Sequence, residues 1–243
     1  MDVKEEDILG DAVRSHWYYV SKGRALRSML RGVPARSVLD VGAGSGVFSR
    51  SLLDERSERA VCVDPAYPRD WDERQNGKPI AFRRAINDCD ADLALMMDVL
   101  EHVEDDVGLL RDYARMLRPG AHVLMTVPAF QFLFSGHDLF LEHRRRYRRA
   151  QLVDVARAAG LEPVRSQFFF GLIFPLVFAQ RLTERVLVSS GRLAPKSSLH
   201  RHGALVNRAL IGLHRAELAL FPLNRWLGLT IFCLARVPAG GIR

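Results

Sequence analysis

Short apolar runs alternate with amphipathic segments through the first half of the chain. Helical spacing of apolar positions predicts helices at residues 47–53 and 106–117, and Pro119-Gly120 follows the second helix. Strands and helices that alternate at short intervals predict a parallel sheet covered by helices on both faces. The apolar runs that predict buried strands are residues 37–41, 60–64, 80–86, 93–97 and 122–127.

Outside these runs the pattern changes at both ends of the chain. A first helix is predicted at residues 11–30, before the break at Gly32 and Pro34. A helix at residues 149–159, a strand at 164–170 and a last strand at 229–237 follow the fifth strand. Residues 172–225 are predicted to be mainly helical, with a polar interruption at 189–198.

The expected fold class is therefore α/β, with a Rossmann-like, seven-stranded, mostly parallel sheet and a helical insertion before the last strand. We expect one domain, and it divides into four consecutive parts. These parts are an N-terminal helical cap at residues 1–35, a core at 36–171, the insertion at 172–225, and the last strand and tail at 226–243.

Composition excludes several classes of protein. The three cysteines, Cys62, Cys89 and Cys233, form no CxxC pair, so we expect no disulfide framework, no metal ligands and a reducing compartment. The acidic start of the chain has no signal-peptide pattern, which predicts a cytoplasmic protein. The longest apolar run, residues 168–179, is too short to cross a bilayer.

The net charge of +7 is unevenly distributed. Residues 1–141 carry 18 Lys and Arg against 23 Asp and Glu, whereas residues 142–243 carry 17 against 5. The basic second part could meet phosphates of a lipid or a nucleic acid, or it could be a solvated surface.

Three alternating glycines follow the first predicted strand, in the stretch VLDVGAGSGVF at residues 38–48. Such a loop turns sharply and lets a ligand approach the backbone. Asp64 ends the second strand, where a carboxylate can accept hydrogen bonds from ribose hydroxyls. A dinucleotide fingerprint would need glycine at position 47, which is Val47. Asp40, just before the loop, favours the cationic S-adenosylmethionine over a pyrophosphate.

Four stretches in this order resemble the class I S-adenosylmethionine-dependent methyltransferases. They are residues 38–48, 61–64 (VCVD), 98–103 (DVLEHV) and 117–125 (LRPGAHVLM). Further motifs, HWYY at 16–19 with Arg24, GHD at 136–138 and EHRRRY at 142–147, are similar to one bacterial branch of that family. The resemblance implies that the cofactor is S-adenosylmethionine and that it contacts Asp40, Gly42, Ala43, Gly44, Gly46, Asp64, Pro65, Asp98 and Val99. Asp88 is the expected adenine-facing residue, although the connection that carries it is shorter than usual.

The methyl acceptor is left open by the sequence. His102 and His137 are the candidate catalytic bases, because each follows a strand at the end of the sheet where ligands bind; each could equally be structural. Trp17, Tyr18 and Tyr19 either cover the sulfonium or pack the first helix onto the sheet. The cluster of five arginines at residues 144–149 either holds an anion or forms salt bridges.

The apolar insertion predicts a small-molecule or lipid-like acceptor and a possible contact of residues 168–235 with an anionic membrane surface. Ordinary core, a lid and a dimer face are the alternatives for the same residues, and the oligomeric state is not predicted. A nucleic-acid methyltransferase is less favoured, because Asp98-Val99-Leu100-Glu101 stands where base-modifying relatives commonly carry an Asn-Pro-Pro-aromatic motif. A binding protein without catalysis is the third hypothesis.

Overall fold

The computed structural model describes residues 8–189, Ala194, Ser197 and residues 200–242. Strands and helices alternate through the first two thirds of this part of the chain, as the apolar pattern predicts. The strands are β1 (Ser37–Val41), β2 (Arg59–Val63), β3 (Trp71–Gln75), β4 (Lys78–Arg83), β5 (Leu93–Met97), β6 (His122–Pro128), β7 (Glu162–Phe169) and β8 (Thr230–Arg236). The helices are α1 (Trp17–Met29), α2 (Val47–Glu55), α3 (Asp106–Arg115), α4 (Gly136–Phe140), α5 (Arg149–Ala158), α6 (Phe174–Ser189) and α7 (Ala204–Glu217).

One sheet contains the eight strands in the order β3-β4-β2-β1-β5-β6-β8-β7. Strands β4, β2, β1, β5 and β6 are parallel, whereas β3, and the pairs that β8 makes with β6 and β7, are antiparallel. The α/β class and the mostly parallel sheet are confirmed, but the predicted number of seven strands is wrong. The additional strand is β3, which lies between the second and third predicted strands and forms a hairpin with β4.

Strand β3 was missed because it is a polar edge strand. Its sequence, WDERQ, is exposed at its three central positions and has no apolar alternation. It is joined to β4 by Asn76 and Gly77, which both have positive φ, 51° and 76°. An Asn-Gly pair with this geometry is a tight hairpin turn that matches the twist of the two strands. That dipeptide was the available signal.

The two faces of the sheet form two apolar clusters. Successive side chains of a strand point to opposite faces, so Val38 belongs to the cluster under α1 and α2, whereas Leu39 belongs to the one under α3 and α5. All five residues of β1 are buried. This explains why the central strands are continuously apolar.

The N-terminal helix begins later than expected. Residues Gly10–Ser15 form a 3-10 turn, and α1 starts at Trp17, after His16. The backbone of His16 is extended, and its Nδ1 accepts from Tyr18 N at 3.4 Å, so it acts as the N-cap. The single helix predicted at residues 11–30 is therefore wrong in its first turn and a half.

The expected helical insertion lies between β7 and β8. It contains α6, α7 and a 3-10 turn at Phe221–Leu223. Helix α7 packs on α1, where Asn207 Oδ1 accepts a hydrogen bond from Trp17 N at 2.7 Å. Most of the polar interruption predicted at residues 189–198 lies outside the described residues.

Candidate cofactor and acceptor site

The loop between β1 and α2 opens at the carboxyl ends of the parallel strands. Gly42, Gly44 and Gly46 all have positive φ, 63°, 54° and 70°, a region that residues with a Cβ rarely adopt. Gly42 N donates to Val63 O at 2.7 Å, and Tyr67 donates from its hydroxyl to Gly44 O at 2.6 Å. The loop is thus tied to the end of β2, at the carboxyl ends of the parallel strands.

Gly46 has a second role in packing. A Cβ at this position would lie 3.0 Å from Cys62 Sγ and 3.3 Å from Phe82 Cε1. The start of α2 can therefore approach β2 and β4 closely only because residue 46 is glycine. The predicted contact of Gly46 with a cofactor stays a prediction beside this packing role.

Two carboxylates flank the glycine loop. Asp64 is buried, and it accepts from Gly44 N at 3.3 Å and from Ala66 N at 2.9 Å. Asp40 is also buried and accepts from Ser49 Oγ at 2.7 Å. Within the predicted cofactor set, Ala43 is buried with the loop, whereas Pro65 is exposed at the rim.

Asp98 follows β5, which pairs with β1 on the side opposite to β2. Its φ is +56°, an uncommon value for a residue with a side chain. Its carboxylate pairs with the buried Lys22 ammonium of α1 and accepts from Thr126 Oγ1 at 3.0 Å and from Tyr18 Oη at 3.3 Å. Burial raises the pKa of Asp98, but the Lys22 charge outweighs it, so the pKa lies below its ordinary value. The next residue, Val99, is half-buried.

Glu101 is a site residue that the sequence analysis missed. It lies in a 3-10 turn after β5 and is fully buried. Neither carboxylate oxygen has a hydrogen-bond partner on another described residue. Burial, and then the charge of Asp98, raise the pKa of Glu101 well above its ordinary value. The available signal was its place in the stretch 98–103, shortly after Asp98 and directly before His102.

The pKa of each candidate base lies below the ordinary value for histidine. Burial, followed by the neighbouring His143, lowers the pKa of His102 to about 4. Burial, followed by the Arg181 guanidinium, lowers the pKa of His137 well below 6.5. A neutral imidazole can accept a proton, although a low pKa makes it a weak base.

A cavity of about 240 Å³ adjoins Asp98. Its polar wall includes Glu101 and His137; His102, by contrast, is not among the described residues that line it. Its other walls are mainly apolar and come from α1, the end of β7, α6 and α7. The apolar and aromatic lining residues are Trp17, Tyr18, Leu141, Phe170, Ile173, Leu176, Val177, Leu210 and Leu229.

The other residues singled out in the sequence have different positions. Asp88 is exposed, in the connection between β4 and β5. The Trp17 ring stacks on His214 at 5.4 Å between centres, and the Tyr18 ring stacks on Phe170 at 5.3 Å, so these aromatics pack α1 against the insertion. Tyr18 also lines the cavity.

Three arginines of the basic cluster are engaged within the fold. Arg144 Nε donates to His102 O at 3.1 Å, Arg145 Nη2 donates to Val103 O at 3.1 Å, and Arg146 Nε donates to Asp138 Oδ1 at 2.7 Å. Arg144 and Arg145 also pair with Glu104 and Asp106, at 3.7 and 3.5 Å, so the observed contacts of this cluster are those of the salt-bridge alternative.

Comparison with protein families gives a match over most of the site. The sequence profile of a family described as a methyltransferase domain matches residues 17–166, which include β1 to β6 and the glycine loop.

Curated relatives match over part of their length. The tRNA U34 carboxymethyltransferase of Idiomarina loihiensis is 24% identical over 132 residues, which cover 49% of this chain and 41% of that protein. The ubiquinone biosynthesis O-methyltransferase of Pseudomonas paraeruginosa is 24% identical over 155 residues, which cover 54% of this chain and 66% of that protein. The chain thus spans less than two thirds of the length of these relatives.

Solved structures share the fold. An S-adenosylmethionine-dependent methyltransferase from Archaeoglobus fulgidus has a TM-score of 0.54 at 18% identity, and the match covers 96% of this chain and 97% of that one. Phosphoethanolamine N-methyltransferase 2 of Haemonchus contortus, in complex with S-adenosyl-L-methionine, has a TM-score of 0.54 at 16% identity, with 97% of this chain and 56% of that chain covered.

Proposed function

Because this chain belongs to the methyltransferase-domain family, within the class I S-adenosylmethionine-dependent methyltransferases, we propose that it methylates an oxygen or nitrogen of a small, lipid-like acceptor. The observation that carries the proposal is the position of Asp98 between the glycine loop and the cavity. Asp98 follows β5, which pairs with β1 just before that loop, and it lines the mainly apolar cavity under α6 and α7. The proposed cofactor crevice is the space along the glycine loop.

The residues of the crevice fit a sulfonium nucleoside. Gly42 and Gly44 have positive φ and carry no Cβ, which suits the close approach of a ligand to the backbone of this loop. Asp64 lies beside that loop at the end of β2, in a position suited to a ribose diol. Asp40, Ala43, Gly46, Pro65 and Val99 complete the proposed contacts, and Asp88 remains the proposed adenine contact.

The work of the chain is mainly alignment and exclusion of water. When bound, S-adenosylmethionine supplies a methyl group that its sulfonium already activates. The apolar walls of the cavity would hold the acceptor against the crevice, and alignment of this kind can contribute on the order of 7–11 kcal/mol. The closure of α1 over Asp98, through Lys22 and Tyr18, supports a pocket shielded from water.

His137 is the better placed of the two proposed bases. It lines the cavity, whereas His102 is not among the described residues that do, so His137 is the one placed to take a proton from an acceptor in this cavity. We expect His137→Gln to lower kcat with little change in the affinity for S-adenosylmethionine. The opposite result, weaker binding at an unchanged kcat, would remove His137 from this role.

Calorimetric titration tests the cofactor half of the proposal. Wild type should bind S-adenosylmethionine and give no binding heat with NADH. Asp64→Ala should weaken the binding by about 10- to 150-fold, because a hydrogen bond to a charged group is worth about 1.5–3 kcal/mol. Asp72→Ala, on the exposed strand β3, is the matched control and should bind as wild type does. Unchanged affinity in Asp64→Ala would contradict the assignment.

Label transfer tests the acceptor half. Purified protein is incubated with S-adenosylmethionine labelled in its methyl group, and with either a bacterial lipid extract or a bacterial tRNA fraction. We expect label in the organic phase of the first reaction. Label on the tRNA alone would favour a nucleic-acid acceptor, the alternative that the tRNA-modifying relative motivates.

A surface of α6 supports the proposal that the protein meets its acceptor at an anionic membrane. Leu176, Leu182 and Val186 are 72%, 54% and 61% exposed, and the neighbouring Arg185 is exposed as well. Apolar side chains with adjacent arginines suit an interfacial contact with acidic headgroups. In the described part of the chain, every helix falls short of the length and apolar character needed to cross a bilayer.

Flotation with anionic liposomes tests this contact. Wild type should float with the vesicles, and the triple variant Leu176→Ser, Leu182→Ser and Val186→Ser should float far less. Val164→Ser, a 54% exposed position at the opposite end of β7, is the control and should behave as wild type does. Wild type that stays in the dense fraction would exclude the membrane contact and leave the cofactor proposal unaffected.

A further inference from the structure

Three side chains with metal-binding atoms converge beside the cavity. Glu101, His102 and His143 each offer one ligand atom, and these atoms all lie within 4.8 Å of one another. Glu101 and His102 belong to the turn after β5, whereas His143 follows α4, about forty residues later in the chain. Glu101 and His143 both line the cavity wall. The absence of metal ligands was predicted from the cysteine spacing, and this group contains no cysteine.

The carboxylate of Glu101 is the first reason to expect a ligand here. Its oxygens accept no hydrogen bond from another described residue, although the side chain is completely buried. To ionise a carboxyl group that is buried without a partner costs roughly several kcal/mol of free energy. A bound cation would satisfy both oxygens.

The hydrogen bonding of His143 is the second reason. Its Nδ1 lies 2.9 Å from Asp138 Oδ1, and Asp138 is itself paired with Arg146 and Arg181. Because these guanidiniums keep Asp138 ionised, Nδ1 must donate, and the lone pair of His143 then sits on Nε2. A carboxylate that orients a histidine in this way is the usual second partner of a metal-binding imidazole.

The backbone fixes the position of His143 relative to the other two ligands. Arg144 N donates to Glu101 O at 2.8 Å, next to the bond from Arg144 Nε to His102 O. The rings of His102 and His143 are 4.8 Å apart between centres and nearly perpendicular, at 79°. The three side chains are therefore held by the fold and are not brought together by chance at a surface.

We propose that Glu101, His102 and His143 bind a divalent transition-metal ion, with Zn²⁺ as the best match, and that its open coordination position faces the cavity. One carboxylate and two imidazoles are the ligands of many catalytic zinc sites, which keep a fourth position for water or substrate. Ligand atoms around such an ion lie about 3.3 Å apart, so binding would draw these three side chains together.

The ion would have a defined role toward the acceptor. An oxygen of the acceptor at the open position would be oriented toward the crevice and would lose its proton more readily. This role rests on the proposed function, whereas binding of the ion does not. The acceptor class that follows is an apolar molecule with a hydroxyl or a phenol at one end.

Metal titration of the full-length protein tests the site. After treatment with EDTA and its removal, the protein is titrated with Zn²⁺ by calorimetry and with Co²⁺ by visible absorption. We expect one ion per chain and a Co²⁺ spectrum with low-symmetry d–d bands. Glu101→Gln should weaken binding by more than about 100-fold, since loss of a direct ligand exceeds the 10- to 100-fold effect of an outer partner.

The variants are chosen so that loss of binding is not confused with loss of folding. Gln has the size of the Glu101 side chain and meets the same surroundings, so the metal-free variant should unfold near the temperature of wild type. His122→Gln, at the opposite end of the sheet, is the control and should bind Zn²⁺ as wild type does. Absence of stoichiometric binding, or equal affinity in Glu101→Gln, would overturn the site.

The same samples are titrated with S-adenosylmethionine, which separates the two proposals. Nucleoside binding without metal binding would remove only the metal site. Metal binding without nucleoside binding would keep the site and remove the proposed function.

Discussion

The buried carboxylate of Asp138 in α4 pairs with Arg146 of the basic cluster and with Arg181 of the helical insertion. We expect Asp138→Asn to lower the Tm of the protein strongly. Asp138 is 0% exposed, and its partners Arg146 and Arg181 are 3% and 10% exposed. Its Oδ2 also accepts from Ser135 N at 2.9 Å, within the capping box of α4. Asn keeps the size of the side chain but removes the charge that faces both guanidiniums.

The magnitude follows from the burial of this cluster. Removal of one partner of a buried ion pair costs about 3–5 kcal/mol, because the other charge stays buried without compensation. For a chain of this size each kcal/mol lowers Tm by about 2–4 °C. Asp138→Asn should therefore lower Tm by about 6–20 °C and reduce the free energy of unfolding in urea by about 3–5 kcal/mol.

The measurement is calorimetry and urea unfolding of metal-free protein, so that a change at His143 does not enter through ion binding. Asp154→Asn is the matched control: Asp154 pairs with Arg157 at 3.0 Å, but the two side chains are 70% and 65% exposed. An exposed pair of this kind contributes about 0–1 kcal/mol. If the two variants lose equal stability, burial does not give the Asp138 cluster its strength, and the reasoning fails.

Two further predictions concern the glycine loop and the cap of α1. Gly46→Ala should lower the free energy of unfolding by about 1–2 kcal/mol because its backbone is left-handed. The contact of the new Cβ with Cys62 should lower it by about 1–3 kcal/mol more. Gly77→Ala is the control: its φ lies in the same region but the space around it is open, so it should show only the first effect. Burial, and less strongly the charges of His202 and His200, lower the pKa of His16 in the fold, against a hydrogen bond to the His200 carbonyl. The unfolded chain then takes up this proton first as pH falls below 6.5, so stability should decrease there, and less steeply in His16→Asn, which retains a capping side chain. If the free energy of unfolding in urea decreases equally steeply in wild type and in His16→Asn between about pH 7 and pH 5, this assignment is wrong.

The parts of the fold that the sequence predicts well are those in which burial dictates composition. β1 and β5 lie in the middle of the sheet, so every residue is buried and the run is apolar throughout. β3 lies at the edge of the sheet, where charged side chains can stay in solvent, so its sequence is polar. Only its Asn-Gly turn indicates a strand there. The start of α1 was misplaced because no local pattern separates the 3-10 turn at Gly10–Ser15 from the helix that follows.

The proposed cofactor side of the site follows from local sequence for a similar reason. The glycines, Asp40 and Asp64 each stand next to the end of a strand, so a reading of the strands also places them together at one edge of the sheet. The ion pair between Asp98 and the buried Lys22 could not be predicted in this way. Lys22 lies in a helix about seventy-five residues earlier, and a lysine at a helical position is ordinarily assigned to the surface.

The acceptor side depends on contacts that no local pattern encodes. Five arginines in six residues read as a basic surface, yet Arg144 and Arg145 are turned toward backbone carbonyls of the turn after β5. Those bonds dock the segment that carries His143 against Glu101, and Arg146 and Arg181 fix Asp138, which orients the same histidine. Part of the positive charge of this region therefore pairs with groups that hold the polar wall of the cavity in place. Part of the apolar wall comes from α6 and α7, outside the residues that the family profile matches, so under the proposed function the choice of acceptor should vary with the insertion while the proposed cofactor crevice stays the same.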